Sequence, residues 1–286
     1  MSEERQAAWP DSDPEGLPYP SYELASRVGS LDSFDSPSAF YELIGKNSRE
    51  DLLSALPAGY TIADRRILDF GSGAGRTVRH FLKHDAKQAD FAACDIDEPS
   101  VAWLREHLSP SLDAFVNGES PPLPVSDQTF DLVYCVSVFT HLARSWSEWL
   151  LEMHRILKPD GILQATFMGR GQADAVLQDT WNEDSIGMLI MNPGQSWDDG
   201  GPMVMHSPWW IREHWGRLFE IVDLREEAFI TRKPGTGHGL ATMRKRDVDL
   251  TADELEAPGS DPREYIALRK NCDRLIFELE ELRGGG

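Results

Sequence analysis

Ile67-Leu68-Asp69-Phe70-Gly71-Ser72-Gly73-Ala74-Gly75-Arg76-Thr77 is the stretch that decides the fold. An apolar strand runs into three alternating glycines, and a helix starts just beyond them. Glycines in such a turn permit a tight reversal and let a ligand lie against bare backbone. In a doubly wound sheet this first turn borders the crevice where ligands bind. Read blandly, the same glycines are only a sterically required turn. A dinucleotide fingerprint wants a further glycine three positions after the second, and Arg76 stands there, so the NAD pattern fails.

Outward from this loop the chain alternates short apolar runs with amphipathic segments. Strands are expected at Arg66–Phe70, Phe91–Asp95, Ala114–Asn117, Leu132–Val136 and Ile162–Phe167. Helices are expected at Arg76–His84, at Ser100–Leu108 opened by Glu98-Pro99, and at Trp146–Leu157 closed by Lys158-Pro159-Asp160-Gly161. Strand, helix, strand at this spacing implies right-handed crossovers and a mostly parallel α/β sheet, doubly wound, with helices on both faces. A helix near Trp209–Leu218 and strands at Phe219–Leu224 and Gly239–Arg244 would finish it.

A second acid points to a nucleoside. Asp95 ends the run Phe91-Ala92-Ala93-Cys94-Asp95-Ile96-Asp97, and a carboxylate at that strand end can accept from both ribose hydroxyls. Asp97 reads instead as a helix N-cap. Asn117-Gly118-Glu119-Ser120 follows the third strand, and Leu123-Pro124 with Phe130-Asp131-Leu132-Val133 leads into the fourth.

The ordered series ILDFGSGAGR, CDID, NGES, LPVSDQTFDLVYCVSVFTHL and LKPDGILQATF resembles the class I S-adenosylmethionine-dependent methyltransferases, the broad group acting on small molecules. The likeness covers roughly residues 60–245. It implies a Rossmann-like, seven-stranded sheet whose last strand, here Gly239–Arg244, is antiparallel, and S-adenosylmethionine as cofactor. It further implies that Asp69, Phe70, Gly71, Ser72, Gly73, Ala74 and Gly75 surround the methionine portion. Asp95 then takes the ribose hydroxyls and Ile96 packs on adenine. Gly118, Glu119 and Ser120 sit at the adenine amino group, with Val136 completing the cofactor set. The family often has Cys where Ser72 stands and Asp where Glu119 stands. The implied reaction is methyl transfer to a small-molecule acceptor, a hydroxyl of a sugar or secondary metabolite. An N-methyltransferase, a non-catalytic dimerising scaffold on the same fold and a nucleotide-dependent oxidoreductase are the alternatives.

Composition narrows the classes. The 286 residues carry 28 Lys+Arg against 48 Asp+Glu, a formal charge of −20, which argues against a nucleic-acid or anionic-membrane partner. The three cysteines (Cys94, Cys135 and Cys272) form no CxxC pair, so neither a disulfide framework nor a structural zinc is expected. No apolar run nears the ~20 residues of a membrane span, and no signal pattern opens the chain, so a soluble cytoplasmic protein is expected. No ligand spacing suggests a metal.

A hydroxyl acceptor needs its proton removed as oxygen attacks, so a base is useful. His141, in Val138-Phe139-Thr140-His141-Leu142, follows the fourth strand and reads either as that base or as a loop histidine. His206, in Met205-His206-Ser207-Pro208-Trp209-Trp210, reads as a second candidate or as part of a helix cap, and His238 as an exposed turn residue. Trp197 and Trp209 are candidates for an aromatic acceptor wall, against simple packing. Met188, Met191, Met203 and Met205 offer an adaptable apolar wall or ordinary gap-filling.

Domain organisation is expected as a flexible tether over 1–21, a helical lid over 22–59 and the methyltransferase domain over 60–245, with 169–215 as its variable substrate element. An acidic linker (246–260) and a C-terminal helix (261–286) follow. In the tether Trp9, Leu17 and Tyr19 could dock on the domain. In the last helix Tyr265, Leu268, Cys272, Leu275, Leu279 and Leu282 keep a coiled-coil spacing, which reads equally as a homodimer contact or as packing on its own domain.

Overall fold

The computed structural model describes residues 9–27, 29, 31, 34–176, 181–197 and 200–284. Its elements are α1 (Tyr22–Ser26), α2 (Pro37–Ser54), β1 (Arg66–Phe70), α3 (Val78–Asp85), β2 (Asp90–Asp95), α4 (Glu98–Leu108), β3 (Leu112–Val116) and β4 (Phe130–Cys135). Then come α5 (Trp146–Ile156), β5 (Leu157–Phe167), α6 (Arg170–Val176), β6 (Met188–Met191), β7 (Met203–His206) and α7 (Pro208–His214). The chain ends with β8 (Phe219–Phe229), β9 (His238–Lys245), α8 (Ala252–Glu256) and α9 (Arg263–Gly284).

Seven strands form one sheet in the order β3-β2-β1-β4-β5-β9-β8. β1 pairs in parallel with β2 and β4, and β2 with β3, while β8 and β9 are antiparallel. The α/β expectation therefore holds. Its physical basis is visible in β1 and β4: Ile67–Phe70 and Phe130–Cys135 are buried residue after residue, as strands covered on both faces must be. β5 begins earlier than expected, because Lys158-Pro159-Asp160-Gly161 stays within the strand, with Asp160 at φ 58.

The chain divides into two compact units, Met1–Val136 with Arg155–Gln164, and Ser137–His154 with Ala165–Gly286. In the first, residues 9–21 are not the tether expected; residues 1–8 of that tether lie outside the described residues. Trp9, Tyr19, Tyr22 and Tyr41 form an aromatic cluster with centroids 5.3–6.0 Å apart. Trp9 Nε1 donates to Pro20 O at 2.8 Å. Below it Asp13, 4% exposed, pairs with Arg79 Nη2 at 3.0 Å and with Lys83, and accepts from the amides of Glu15 and Leu17 at 2.9 and 3.0 Å. Burying such a carboxylate costs several kcal/mol, and only this many partners can offset it. Composition hid the segment because its few apolar residues are aromatic, and each buries far more area than its count suggests. Gly45 of α2 marks the tightest approach: a Cβ there would lie 2.2 Å from Arg76 O.

In the second unit Trp149 and Trp215 are fully buried, each stabilising by about 2–3 kcal/mol. The region expected as an irregular substrate element holds a two-stranded antiparallel ribbon, β6 with β7. Leu189 faces Met205 and Met191 faces Met203, packed with Met168 and Ala173. Met191, Met203 and Met205 therefore fill a small core, while Met188, opposite His206, is half-buried outside it. His238, expected on an exposed turn, is half-buried and pairs with Phe229 in the ladder.

Candidate functional site

The first unit builds its site from backbone. Gly71, Gly73 and Gly75 all have positive φ (76°, 50° and 80°), a path that side-chain-bearing residues resist. Two amides, of Gly71 and Ser72, donate to Cys94 O at 2.9 and 3.0 Å and clamp the loop to the end of β2. Gly75 also has no room for a side chain, since a Cβ would stand 2.7 Å from Leu104 Cδ2.

Asp95 ties this loop to the next turn. Its Oδ2 accepts from the Gly73 amide at 2.6 Å and its Oδ1 from the Asp97 amide at 2.9 Å. Each carboxylate oxygen keeps a second lone pair for a further donor. Burial raises the Asp95 carboxyl, opposed by those amides. Asp97 is the N-cap of α4, accepting from the Ser100 amide at 3.3 Å, and it also pairs with Arg27 beyond α1.

Asp69, at the inner end of β1, is 2% exposed, and its Oδ2 has no hydrogen-bond partner. Burial pushes its carboxyl up to about 7; the Tyr134 hydroxyl opposes the rise and the Asp95 charge adds to it. Tyr134 stands opposite Asp69 in the β1–β4 register, and its buried hydroxyl is directed at that carboxyl. Asn117 donates from Nδ2 to Gly118 O at 2.8 Å while its buried Oδ1 stays unsatisfied. Tyr134 and Asn117 were not singled out in the sequence. An Asn at a strand's carboxyl end and a Tyr one strand from a buried Asp were the available signals.

The other sites expected in this unit fall at the same strand ends. Phe70, Ser72 and Ala74 are buried, and Ile96 is half-buried. Gly118, Glu119 and Ser120 are exposed on the turn after β3, and Val136 is half-buried one residue past β4.

The second unit holds the remaining candidates. His141 Nδ1 lies 2.9 Å from Pro202 O. A carbonyl only accepts, so Nδ1 carries the proton and Nε2 presents the lone pair. Burial lowers the pKa of this ring, with the Pro202 bond opposing, which keeps it neutral. Gly201, at φ 67, packs against the ring: a Cβ there would stand 3.4 Å from Nδ1.

His206 and Trp209 do not face an open acceptor wall. His206 is fully buried between Trp210 and Trp215, with centroids 5.2 and 5.3 Å away, and neither ring nitrogen has a partner. Burial, aided by His214, drives its pKa down to about 3. Trp209 is 5% exposed, donates to Glu183 O at 2.8 Å and lies beneath the Arg263 guanidinium. Both serve the core that the first turn of α7 turns inward. Trp197 is 43% exposed. Among the described residues no group of three or more His, Cys, Asp or Glu could hold a metal ion, and no helix is long and apolar enough to cross a membrane.

Comparison with known proteins agrees with this architecture. Residues 68–165 match the family described as methyltransferase domain. Over 106 residues the chain is 30% identical to phthiotriol/phenolphthiotriol dimycocerosates methyltransferase 1 of Mycobacterium ulcerans, covering 37% of this chain and 38% of that one. It is 31% identical over 144 residues to malonyl-[acyl-carrier protein] O-methyltransferase of Halorhodospira halophila, covering 47% and 46%. The chain thus spans less than half the length of these relatives. In fold it is similar to an S-adenosylmethionine-dependent methyltransferase from Mesorhizobium loti, with a TM-score of 0.53 at 19% identity over 71% of this chain and all of that one. It is also similar to the glycopeptide N-methyltransferase MtfA solved with S-adenosyl-L-homocysteine, with a TM-score of 0.51 at 13% identity over 71% and 90%. Residues 68–165 thus match the methyltransferase-domain family, and the fold is that of solved S-adenosylmethionine-dependent methyltransferases.

Proposed function

We propose that this chain transfers a methyl group from S-adenosylmethionine to a hydroxyl of a small-molecule acceptor of the sugar or secondary-metabolite kind, in the cytoplasm. The observation that carries the cofactor half is the run of three left-handed glycines clamped to Asp95 at the strand ends, with the buried Asn117 Oδ1 unpaired on the next strand end. Native folds seldom leave such a group unpaired without a ligand or water to meet it, and a zwitterionic nucleoside fits that donor and acceptor mix. Asp69 and the loop from Phe70 to Gly75 would hold the methionine portion. Asp95 would take the ribose hydroxyls, with Ile96, Gly118, Glu119, Ser120 and Val136 around adenine. When bound, the cofactor supplies a sulfonium methyl already activated for displacement.

The remaining work for the protein is alignment, exclusion of water and removal of one proton. Holding the acceptor in line can contribute several kcal/mol. His141 Nε2 takes the proton from the acceptor hydroxyl, leaving the electron pair on oxygen. The Nδ1–Pro202 bond fixes that tautomer, and this supports an oxygen acceptor: a neutral amine already carries a lone pair, whereas an alcohol gains most from such a base. Trp197 remains the candidate aromatic face for the acceptor.

Calorimetric titration with S-adenosylmethionine, its demethylated product and NAD in parallel tests the reading. Micromolar binding of the first two with no heat from NAD supports it. Binding of NAD alone, or of none of the three, overturns it.

A further inference from the structure

We propose that the outer face of α9 is a self-association surface that receives the same helix of a second copy, antiparallel, about a two-fold axis near residue 274. The observation is an apolar stripe left exposed among the described residues. Tyr265, Leu268, Ile276 and Leu279 are 71%, 47%, 54% and 53% exposed, and Cys272 between them is exposed too. At about 3.6 residues per turn these five fall within an arc of about 80°. Isolated exposed leucines are ordinary, but a continuous apolar helical stripe marks a contact.

The helix is already anchored for such a role. Glu264 meets His214 Nε2 at 3.0 Å, Ala267 is buried and Lys270 reaches Ser185 Oγ at 3.1 Å. The face that carries Glu264, Ala267 and Lys270 is thus held by its own unit, while Ile266 and Phe277, 50% and 59% exposed, lie off the stripe; a partner meets a helix that needs no further ordering.

Charge identifies the occupant as a second copy and sets its direction. One flank of the stripe carries Arg269 near the start and Glu280 near the end, both exposed. An antiparallel copy brings Arg269 against Glu280 of the partner subunit twice, once on each side of the axis. The same register sets Leu268 toward the partner's Leu279, Cys272 toward the partner's Ile276 and Tyr265 toward the partner's Arg283. A parallel copy would instead oppose Cys272 to its own equivalent and lose both ion pairs. The coiled-coil spacing in the sequence shares Tyr265, Leu268, Cys272 and Leu279 with this stripe. It differs at Leu275, which is half-buried, and at Leu282, whose side chain lies outside the described residues.

The test uses the full chain in sedimentation equilibrium and mild oxidation. A concentration-dependent dimer is expected. R269E and E280R should each shift its midpoint about tenfold upward, and the double charge swap should restore it. Under oxidised glutathione, I276C should form a disulfide-linked dimer through Cys272 while the unaltered chain does not. A monomer at every concentration, a double swap no better than either single variant, or cross-linking of the unaltered chain but not of I276C would overturn the proposal.

Discussion

The glycine loop of the first unit and the tryptophan-rich segment of the second are equally conspicuous in sequence, and they resolve in opposite ways. Between residues 69 and 97, the conspicuous residues are the left-handed glycines and the Asp95 carboxylate that accepts from the Gly73 amide. Between 205 and 215 they are core: His206 and Trp215 are fully buried, and Trp209 and Trp210 are each 5% exposed. A glycine at positive φ is set by its own backbone, so its meaning can be read locally. A tryptophan's meaning depends on what lies against it, and chains distant in sequence decide that.

The sharpest way to break this contrast is to fill the loop. Gly75→Val combines φ 80° with a Cβ 2.7 Å from Leu104, and should cost about 3 kcal/mol or more and abolish cofactor binding. Urea unfolding and the titration above would measure it; a variant that folds and binds normally would mean the loop is not under constraint.

A comparable loss is expected at the N-terminal segment. Asp13→Ala leaves Arg79, 2% exposed at its side chain, without its main partner, at a cost of about 3–5 kcal/mol. The pH dependence has a definite sign. Although burial alone would raise the Asp13 carboxyl, Lys83, the Leu17 amide and Arg79 together hold it at about 2, below its unfolded value near 3.8. Its stabilisation is therefore present above the unfolded value and lost as pH falls toward 2. Acid unfolding of the variant should lack that limb.

In the second unit the discriminating residue is His141. His141→Ala should lower turnover about 100-fold while leaving cofactor affinity unchanged, and the parent's rate–pH profile should rise through a pKa below the ordinary histidine value. Equal turnover in parent and variant would remove it from the chemistry. The smallest effect is expected at His206. Replacing this ring, orphaned at both nitrogens, by Phe should be neutral or stabilise by about 1 kcal/mol without altering turnover. With the folded value near 3 and the unfolded value near 6.5, only the unfolded chain binds a proton in between. The parent therefore loses stability as pH falls through that window, and His206→Phe should flatten the slope, leaving a part due to His80, also held near 3 by burial. A variant that loses activity at full stability would return His206 to the list of site residues.

Much of the architecture was legible because it rests on periodicity and turn chemistry. β1 was bounded to the residue, and Asp97 behaves as the cap its position before Glu98-Pro99 implied. Asp95 was legible as a strand-end acid, but its grip on the Gly73 amide was not, since that joins two turns across a strand pair. Docking of Trp9 and Tyr19 was legible in their aromatic character, but the Asp13–Arg79 pair was not, since it joins residues 66 positions apart. The β6–β7 ribbon is not legible in sequence, since the four-residue strands Met-Leu-Ile-Met and Met-Val-Met-His carry too short a pattern to separate from loop.

Residue order alone determined the alternation of strands and helices, the glycine turn and the acid after the second strand, because each follows from local backbone preference and a repeating apolar face. Tertiary structure decided which histidine keeps a usable lone pair, which tryptophans are core and which face of the last helix is left exposed. Those properties depend on burial and on partners far away in the chain, and a side chain's burial is fixed only when the elements around it have packed.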